Sequence, residues 1–265
     1  MYEFNYHRPS SLADARAILD GNDEAKLVAG GMTLLPTMKL RLARPSDLVD
    51  LAGISDLKGI RVDTAHVEIG ATAKHADVAG SADVRKAIPA LAELAGMIGD
   101  PQVRNRGTIG GSVANSDPAA DYPAAVLGLG AWIRTDRREI AADDYFLGMF
   151  ETALEPGEIV VSVRFPRARR AAYAKFPNPA SRYAIVGVFV AETASGIRVA
   201  ITGAGGCAFR VSEMESALAR DFSAASLDGI KVDPAELNGD LHASPEYRAH
   251  LVGVMARRAV SAAGG

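Results

Sequence analysis

The sequence predicts an α+β protein in two parts, and three observations predict it. From residue 171 onward, strand candidates at 173–176, 184–192 and 196–202 follow one another through short polar loops, the pattern of an antiparallel meander. Helix candidates then follow without further strands, at 213–218, 224–229 and in a last segment entered through Ser244 and Pro245. Before residue 167, strand and helix patterns are intermixed. The boundary is therefore expected near 167–172. A chain of 265 residues is long enough for one large domain or two modest ones, each with a real core.

The elements can be justified in order. Tyr2, Phe4 and Tyr6 alternate with Glu3, Asn5 and His7, as in a short strand. Ser10 or Ser11 caps a helix whose Leu12, Ala15, Ile18 and Leu19 share a face, and Gly21 ends it. Residues 26–29 read as a buried strand that breaks into Gly30-Gly31-Met32-Thr33 before a helical stretch at 34–42. Further strands are expected at 45–51 and 67–71. Ser81 caps a short helix, and Pro89 opens the next at its tolerated first position. There Leu91, Leu94, Ala95 and Ile98 form a core-facing stripe. Residues 100–123 are expected as a Gly-rich irregular stretch, 122–129 as a helix, 131–134 as a strand, 143–150 as a helical turn and 158–165 as a strand. In the last helix Glu246 opens and Arg257 and Arg258 close, in line with the helix dipole.

Composition narrows the function. Hydrophobic residues make up 48% and charged residues 23%, ordinary for a soluble globular protein. A net charge of −3 and the lack of a Lys/Arg stripe argue against nucleic acid. The lone Cys207 excludes an internal disulfide, an iron–sulfur cluster and a Cys-based zinc site in this chain. The five His residues lack metal-ligand spacing, so no metal is expected. The N-terminus lacks the apolar core of a signal peptide and no run approaches a membrane span, so the expectation is a soluble, cytoplasmic protein.

Two glycine pairs carry the chemistry. Gly30-Gly31 stands between a strand and a helix start, where bare backbone can turn N–H groups toward an anion. Gly110-Gly111 sits among small polar residues downstream of Arg104 and Arg106, with Asp117 and Asp121 beyond it. Gly30-Gly31 fits neither the dinucleotide fingerprint nor the Walker loop, and one pair alone would read as a surface turn. Together they suggest a phosphate or diphosphate site.

At the level of motif, Ala29-Gly30-Gly31-Met32-Thr33 and Thr108-Ile109-Gly110-Gly111-Ser112-Val113-Ala114-Asn115-Ser116-Asp117-Pro118 resemble the flavin-binding signature of the FAD-binding medium subunits of molybdenum hydroxylases. That family includes aerobic carbon monoxide dehydrogenase and xanthine dehydrogenase. The resemblance extends through Tyr6-His7-Arg8-Pro9, Met38-Lys39-Leu40-Arg41-Leu42-Ala43, Ile69-Gly70-Ala71, Tyr183-Ala184 and Tyr247-Arg248, nearly the full length, and is closest to the carbon monoxide dehydrogenase type. It implies a vanillyl-alcohol-oxidase-like (PCMH-type) FAD-binding domain over 1–170, with subdomains of about 1–52 and 53–170. A C-terminal domain of three antiparallel strands and helices would occupy 171–265.

The resemblance also implies roles. Ala29, Gly30, Gly31, Met32 and Thr33, with Thr108, Ile109, Gly110, Gly111 and Ser112, would hold the FAD diphosphate through backbone N–H groups. Thr33, Thr108 and Ser112 would add hydroxyls, and Asn115 completes the motif. Asp117 and Asp121 would accept from sugar hydroxyls. Lys175 and Tyr183 would lie near the isoalloxazine, the first as a flavin-tuning cation and the second as an aromatic cover. Met32 stands where some relatives carry His; a thioether neither donates nor carries charge, which favours non-covalent FAD. The implied function is electron transfer. A molybdenum-containing large subunit oxidises a substrate, [2Fe-2S] clusters on a small subunit pass electrons to this FAD, and quinone, NAD or oxygen accepts them. The alternatives are a self-sufficient flavin oxidoreductase of the same fold and a non-catalytic scaffold subunit.

Overall fold

The computed structural model describes residues 1–264 and contains three main sheets in sequence order. The first is a parallel sheet of β1 (Asn5–His7), β2 (Lys26–Val28) and β3 (Asp47–Asp50), ordered β1-β3-β2. Helix α1 (Leu12–Asp20) and helix α2 (Leu34–Lys39) make its connections. Ser11 caps α1 by accepting the Asp14 N–H, as its position before the apolar face requires. Arg41 turns left-handed at φ 62° two residues past α2, so the helical pattern expected to 42 stops earlier.

The second sheet is antiparallel and five-stranded, in the order β4-β5-β10-β6-β7. It comprises β4 (Ile60–Val62), β5 (His66–Gly70), β6 (Trp132–Thr135), β7 (Glu139–Ala141) and, after a hairpin at 146–152, β10 (Val160–Pro166). Between β5 and β6 run six helices: α3 (His75–Gly80), α4 (Ala82–Ala87), α5 (Pro89–Gly96), α6 (Pro101–Arg104), α7 (Ile109–Asn115) and α8 (Tyr122–Leu129). In α5 Leu91, Leu94 and Ala95 have no exposed surface, whereas Ile98, expected in the same stripe, lies past the helix end and is only partly buried. Burying each such leucine contributes roughly 1.5–3 kcal/mol. Every residue of α8 is buried, and Gly128 allows Phe189 to lie within 2.7 Å of where a Cβ would stand.

The expected helical turn at 143–150 is instead a single 3-10 turn over Ala142–Asp144 followed by a hairpin of β8 (Phe146–Gly148) and β9 (Glu151–Thr152). Leu147, Met149 and Phe150 are exposed and follow no helical period, and Phe150 takes φ 56° at the turn.

The third sheet is a meander of β11 (Arg170–Pro177), β12 (Ala184–Thr193), β13 (Gly196–Thr202) and the short β14 (Phe209–Arg210). Four strands stand where three were expected. The fourth is two residues long, pairing Ala200 with Arg210 and Ile201 with Phe209, too short to leave an alternation in the sequence. Helices α9 (Ser212–Arg220) and α10 (Pro245–Ala262) cover this sheet and share its apolar cluster. Residues 224–229, expected as a helix, form a 3-10 turn over Ala224–Leu227. No helix among the described residues is long and apolar enough to cross a membrane.

Candidate functional site: a cavity between three loops

A cavity of about 770 Å³ opens where the loop after β2, the segment 107–121 and the β11–β12 loop converge. That volume is in the range of small-molecule and cofactor sites. The first wall is the 29–33 loop. Gly30 is buried against the other glycine segment: a Cβ there would fall 2.3 Å from the Arg106 carbonyl oxygen and 2.7 Å from the Gly107 Cα. Gly31 takes φ 73°, which costs glycine little. The two glycine segments therefore meet backbone on backbone. Within the described residues, the N–H groups of Gly30, Gly31, Met32 and Thr33 make no hydrogen bond to the protein.

The second wall differs from expectation. Residues 109–115 are the helix α7, capped by Thr108, whose side chain accepts the Gly111 N–H at 3.2 Å. Three further N–H groups of the motif are also committed. Ile109 donates to Ala73, Gly110 to Ala71 at 2.9 Å, and Ser112 to the Thr108 carbonyl. The N–H groups of residues 109–112 are thus engaged within the protein, two by the segment just after β5 and two by Thr108, whereas among the described residues the Thr108 N–H makes no hydrogen bond to the protein.

The two glycines also have different jobs. A Cβ on Gly110 would sit 2.5 Å from the Ala71 Cβ, so this glycine serves helix–strand packing. A Cβ on Gly111 would meet only the Thr108 Oγ1, at 3.0 Å, so this glycine leaves its face open to the cavity. Ser112 and Asn115 line the cavity beside it, whereas Ile109 is fully buried in the core and does not.

The acidic residues separate as well. Asp117 lines the cavity; burial pushes its carboxyl up, partly offset by the Ala119 N–H it accepts at 2.9 Å. Asp121 borders the cavity, but both its oxygens are occupied. One accepts the Tyr173 hydroxyl and the other the Lys175 ammonium at 2.9 Å. Burial pushes this carboxyl up against the opposing pull of Lys175 and Tyr173. Lys175 is 3% exposed, donates also to the Met97 carbonyl, and does not reach the cavity wall. The structure joins Asp121 and Lys175 to each other.

The third wall is the β11–β12 loop, where Ser181, Arg182 and Tyr183 line the mouth. Tyr183 is half exposed, and burial followed by the Asp117 and Asp121 charges pushes its phenol up. Of the other carboxylates in the wall, Glu155 pairs with Arg137, and Glu158 pairs with Arg138 and accepts from Thr135. Burial opposes ionisation of Glu158, yet these partners and the Glu155 N–H hold it down at about 2.

Residues 118–120 are held by the C-terminal strands. Thr202 donates to the carbonyls of Pro118 and Ala120, Gly203 donates to Pro118 at 2.7 Å, and Ala184 donates to Ala119.

Sequence reasoning missed His75 and Arg182. His75 lines the cavity while only 5% exposed, its ring edge under Gly107 and its ring 5.4 Å from that of Tyr122. Burial, with help from Arg104, pushes its pKa down to about 4, so it is neutral at physiological pH. An isolated His after a strand carries no signal of this, and Arg182 sits in a loop without a pattern.

Comparison with known proteins gives concordant matches. The family model described as the FAD binding domain in molybdopterin dehydrogenase matches residues 2–168. The carbon monoxide dehydrogenase medium chain of Hydrogenophaga pseudoflava is 38% identical over 281 residues, covering 98% of this chain and 96% of that one. The 6-hydroxypseudooxynicotine dehydrogenase complex subunit alpha of Paenarthrobacter nicotinovorans is 34% identical, with 98% and 94% covered. Among solved structures, a chain of the reconstituted CO dehydrogenase from Oligotropha carboxidovorans superposes with a TM-score of 0.91 at 36% identity, covering 99% of this chain and 98% of that chain.

Proposed function

The chain belongs to the FAD-binding medium subunits of the molybdenum hydroxylase family, like the carbon monoxide dehydrogenase medium chain, and from that premise we propose that it carries electrons through a bound FAD. The observation that supports this most directly is the 29–33 loop, which lines the cavity with four N–H groups that no protein acceptor takes, while Gly111 lines the same cavity without a side chain. Such a loop suits a diphosphate without cationic side chains. Thr33, Ser112 and Asn115 would add polar contacts, and Asp117 would accept from sugar hydroxyls. Tyr183 would cover the ring system from the mouth, and neutral His75 would keep charge off the floor beneath Gly107. Met32 lines the loop without a nucleophile, so the FAD would be non-covalent.

When bound, FAD supplies the redox chemistry, and the chain binds it, orients it and restricts water. Residues 1–170 would form the flavin domain, in subdomains of about 1–52 and 53–170. Residues 171–265 would complete its wall. With Cys207 the lone cysteine, this chain cannot hold the clusters that would feed the flavin. Molybdenum and [2Fe-2S] centres would belong to partner subunits, and a quinone, NAD or oxygen would accept the electrons, in the cytoplasm. The test is direct. The purified chain, reconstituted with excess FAD, should show a flavin absorbance spectrum at one FAD per chain. Recovery from the source cell should bring molybdenum and iron with it. A chain that binds no flavin would overturn the reading, and turnover of a small organic substrate by the chain alone would favour a self-sufficient oxidoreductase.

A further inference from the structure

Flavin reduction by two electrons and one proton adds one negative charge to the ring system, so a cation nearby favours the reduced form. The expected cation, Lys175, is already neutralised: it is buried, 2.9 Å from Asp121, and absent from the cavity wall. Among the described residues, two cationic residues do line the cavity, Lys26 and Arg182. Lys26 opens the strand that leads into the 29–33 loop. Arg182 adjoins Tyr183 at the mouth.

Arg182 has no ion-pair or hydrogen-bond partner for its guanidinium among the described residues. Three carboxylates of the wall are engaged elsewhere, Asp121 with Lys175, Glu155 with Arg137 and Glu158 with Arg138, while Asp117 accepts the Ala119 N–H through one oxygen and pairs with no cation among the described residues. Its loop is held in one shape. Asn178 accepts the N–H groups of Ala180 and Ser181 through its side chain and that of Arg182 through its carbonyl, and it donates to the Tyr183 carbonyl. In that shape Arg182 takes φ 63°, a left-handed conformation that costs a non-glycine residue about 1–2 kcal/mol. Glycine would occupy the position without that cost. Arg182 is exposed, and a strained position that nonetheless carries a charge beside a site points from the outlier to a function.

We propose that Arg182, and not Lys175, is the cation that sets the redox potential of the bound flavin. The proposal rests on the FAD reading above, with the ring system beside Tyr183. The two electrons come from the iron–sulfur partner of that reading, and the proton from solvent at the open mouth.

The experiment uses the full chain reconstituted with FAD and measures two quantities, the affinity for oxidised FAD and the flavin midpoint potential. Arg182→Gln should lower the preference for reduced over oxidised FAD about tenfold, which is about 30 mV for a two-electron couple. Arg182→Glu should lower it further, and Arg182→Lys should keep most of the wild-type potential. Arg182→Gly should lower the potential like Gln while raising the unfolding midpoint, a combination that a merely structural residue would not give. The paired change Asp121→Asn with Lys175→Met exchanges one neutral pair for another and should leave the potential close to wild type. Unchanged potentials in both Arg182→Gln and Arg182→Glu would overturn the proposal, as would a shift confined to the Asp121/Lys175 double variant. Wild-type chain without flavin would instead sink the FAD reading itself, and the two failures are told apart before any variant is made.

Discussion

Replacing Gly110 and Gly111 by alanine, one at a time, separates packing from ligand approach within a single glycine pair. At Gly110 the new Cβ would lie 2.5 Å from the Ala71 Cβ and 2.7 Å from the Ala71 oxygen. Carbon contacts are comfortable at about 3.5–4.0 Å, so the start of α7 must retreat by about 1 Å. That retreat also stretches the Gly110 N–H bond to the Ala71 carbonyl, now 2.9 Å. Overpacking costs about 1–3 kcal/mol and a weakened buried hydrogen bond about 1 more, so Gly110→Ala should lose roughly 2–4 kcal/mol of stability. At Gly111 the Cβ meets only the Thr108 hydroxyl, and alanine is the better helix former by about 1 kcal/mol. The contact is tight at 3.0 Å and the cap hydroxyl must yield slightly, which offsets that gain, so Gly111→Ala should fold about as well as wild type, yet place a methyl on the face where ligand backbone contact is proposed. Its FAD dissociation constant should rise about tenfold or more, about 1.4 kcal/mol. Urea melts of the apo chains and fluorescence titration with FAD read the two effects separately. Wild-type FAD affinity in Gly111→Ala would refute the ligand-facing assignment, and wild-type stability in Gly110→Ala would refute the packing argument.

Three further outcomes are expected. Lys175→Met strands the buried Asp121 carboxylate and should cost about 3–5 kcal/mol, while adding Asp121→Asn should restore most of it; denaturant midpoints of the single and double variants check this. His75 has its pKa pushed from the ordinary 6.5 to about 4, chiefly by burial, so below pH 6.5 the unfolded chain takes up a proton the folded one refuses. Its contribution is full above about pH 6.5 and falls as pH drops toward 4, by about 3 kcal/mol in all. His75→Phe should flatten that part of the stability–pH curve between pH 7 and 4.5, and parallel curves would discard the assignment. Thr202→Val leaves the buried carbonyl of Ala120 without its 2.6 Å partner and should cost about 1–3 kcal/mol while weakening FAD retention. Retention equal to wild type would show that the 118–120 segment does not shape the site.

Much of the fold was legible because local patterns and tertiary burial agree. The α5 stripe, the caps at Ser11, Ser81 and Ser244, and the long meander strands each follow from spacing alone. The hairpin at 146–152 was not, because Leu147, Met149 and Phe150 are apolar and exposed, which inverts the rule that periodicity relies on. In the site, both glycine pairs were visible as breaks in a pattern. What each N–H does was not, since it depends on whether a distant strand end claims it: Ala71 and Ala73 take those of Gly110 and Ile109, and nothing takes those of the 29–33 loop. Asp121 and Lys175 looked like two ligands for the same reason. Their partnership spans 54 positions and belongs to the packing of α8 on the meander, which no local window contains.

The clasp of Thr202, Gly203 and Ala184 on the carbonyls of residues 118–120 bears on the order of events during biosynthesis. A ribosome delivers the glycine segments first and the strands that fasten the opposite rim much later. Early in synthesis the nascent N-terminal part has one small apolar cluster of its own, from Ala15 to Val161, but its main cluster still lacks Tyr173, Phe189 and Ala200 and its rim is unlatched, with carbonyls at 118 and 120 still facing water. Cofactor capture should thus wait until β12 and β13 have emerged, and a nascent chain stalled before β13 emerges should fail to retain flavin even with both glycine segments in place.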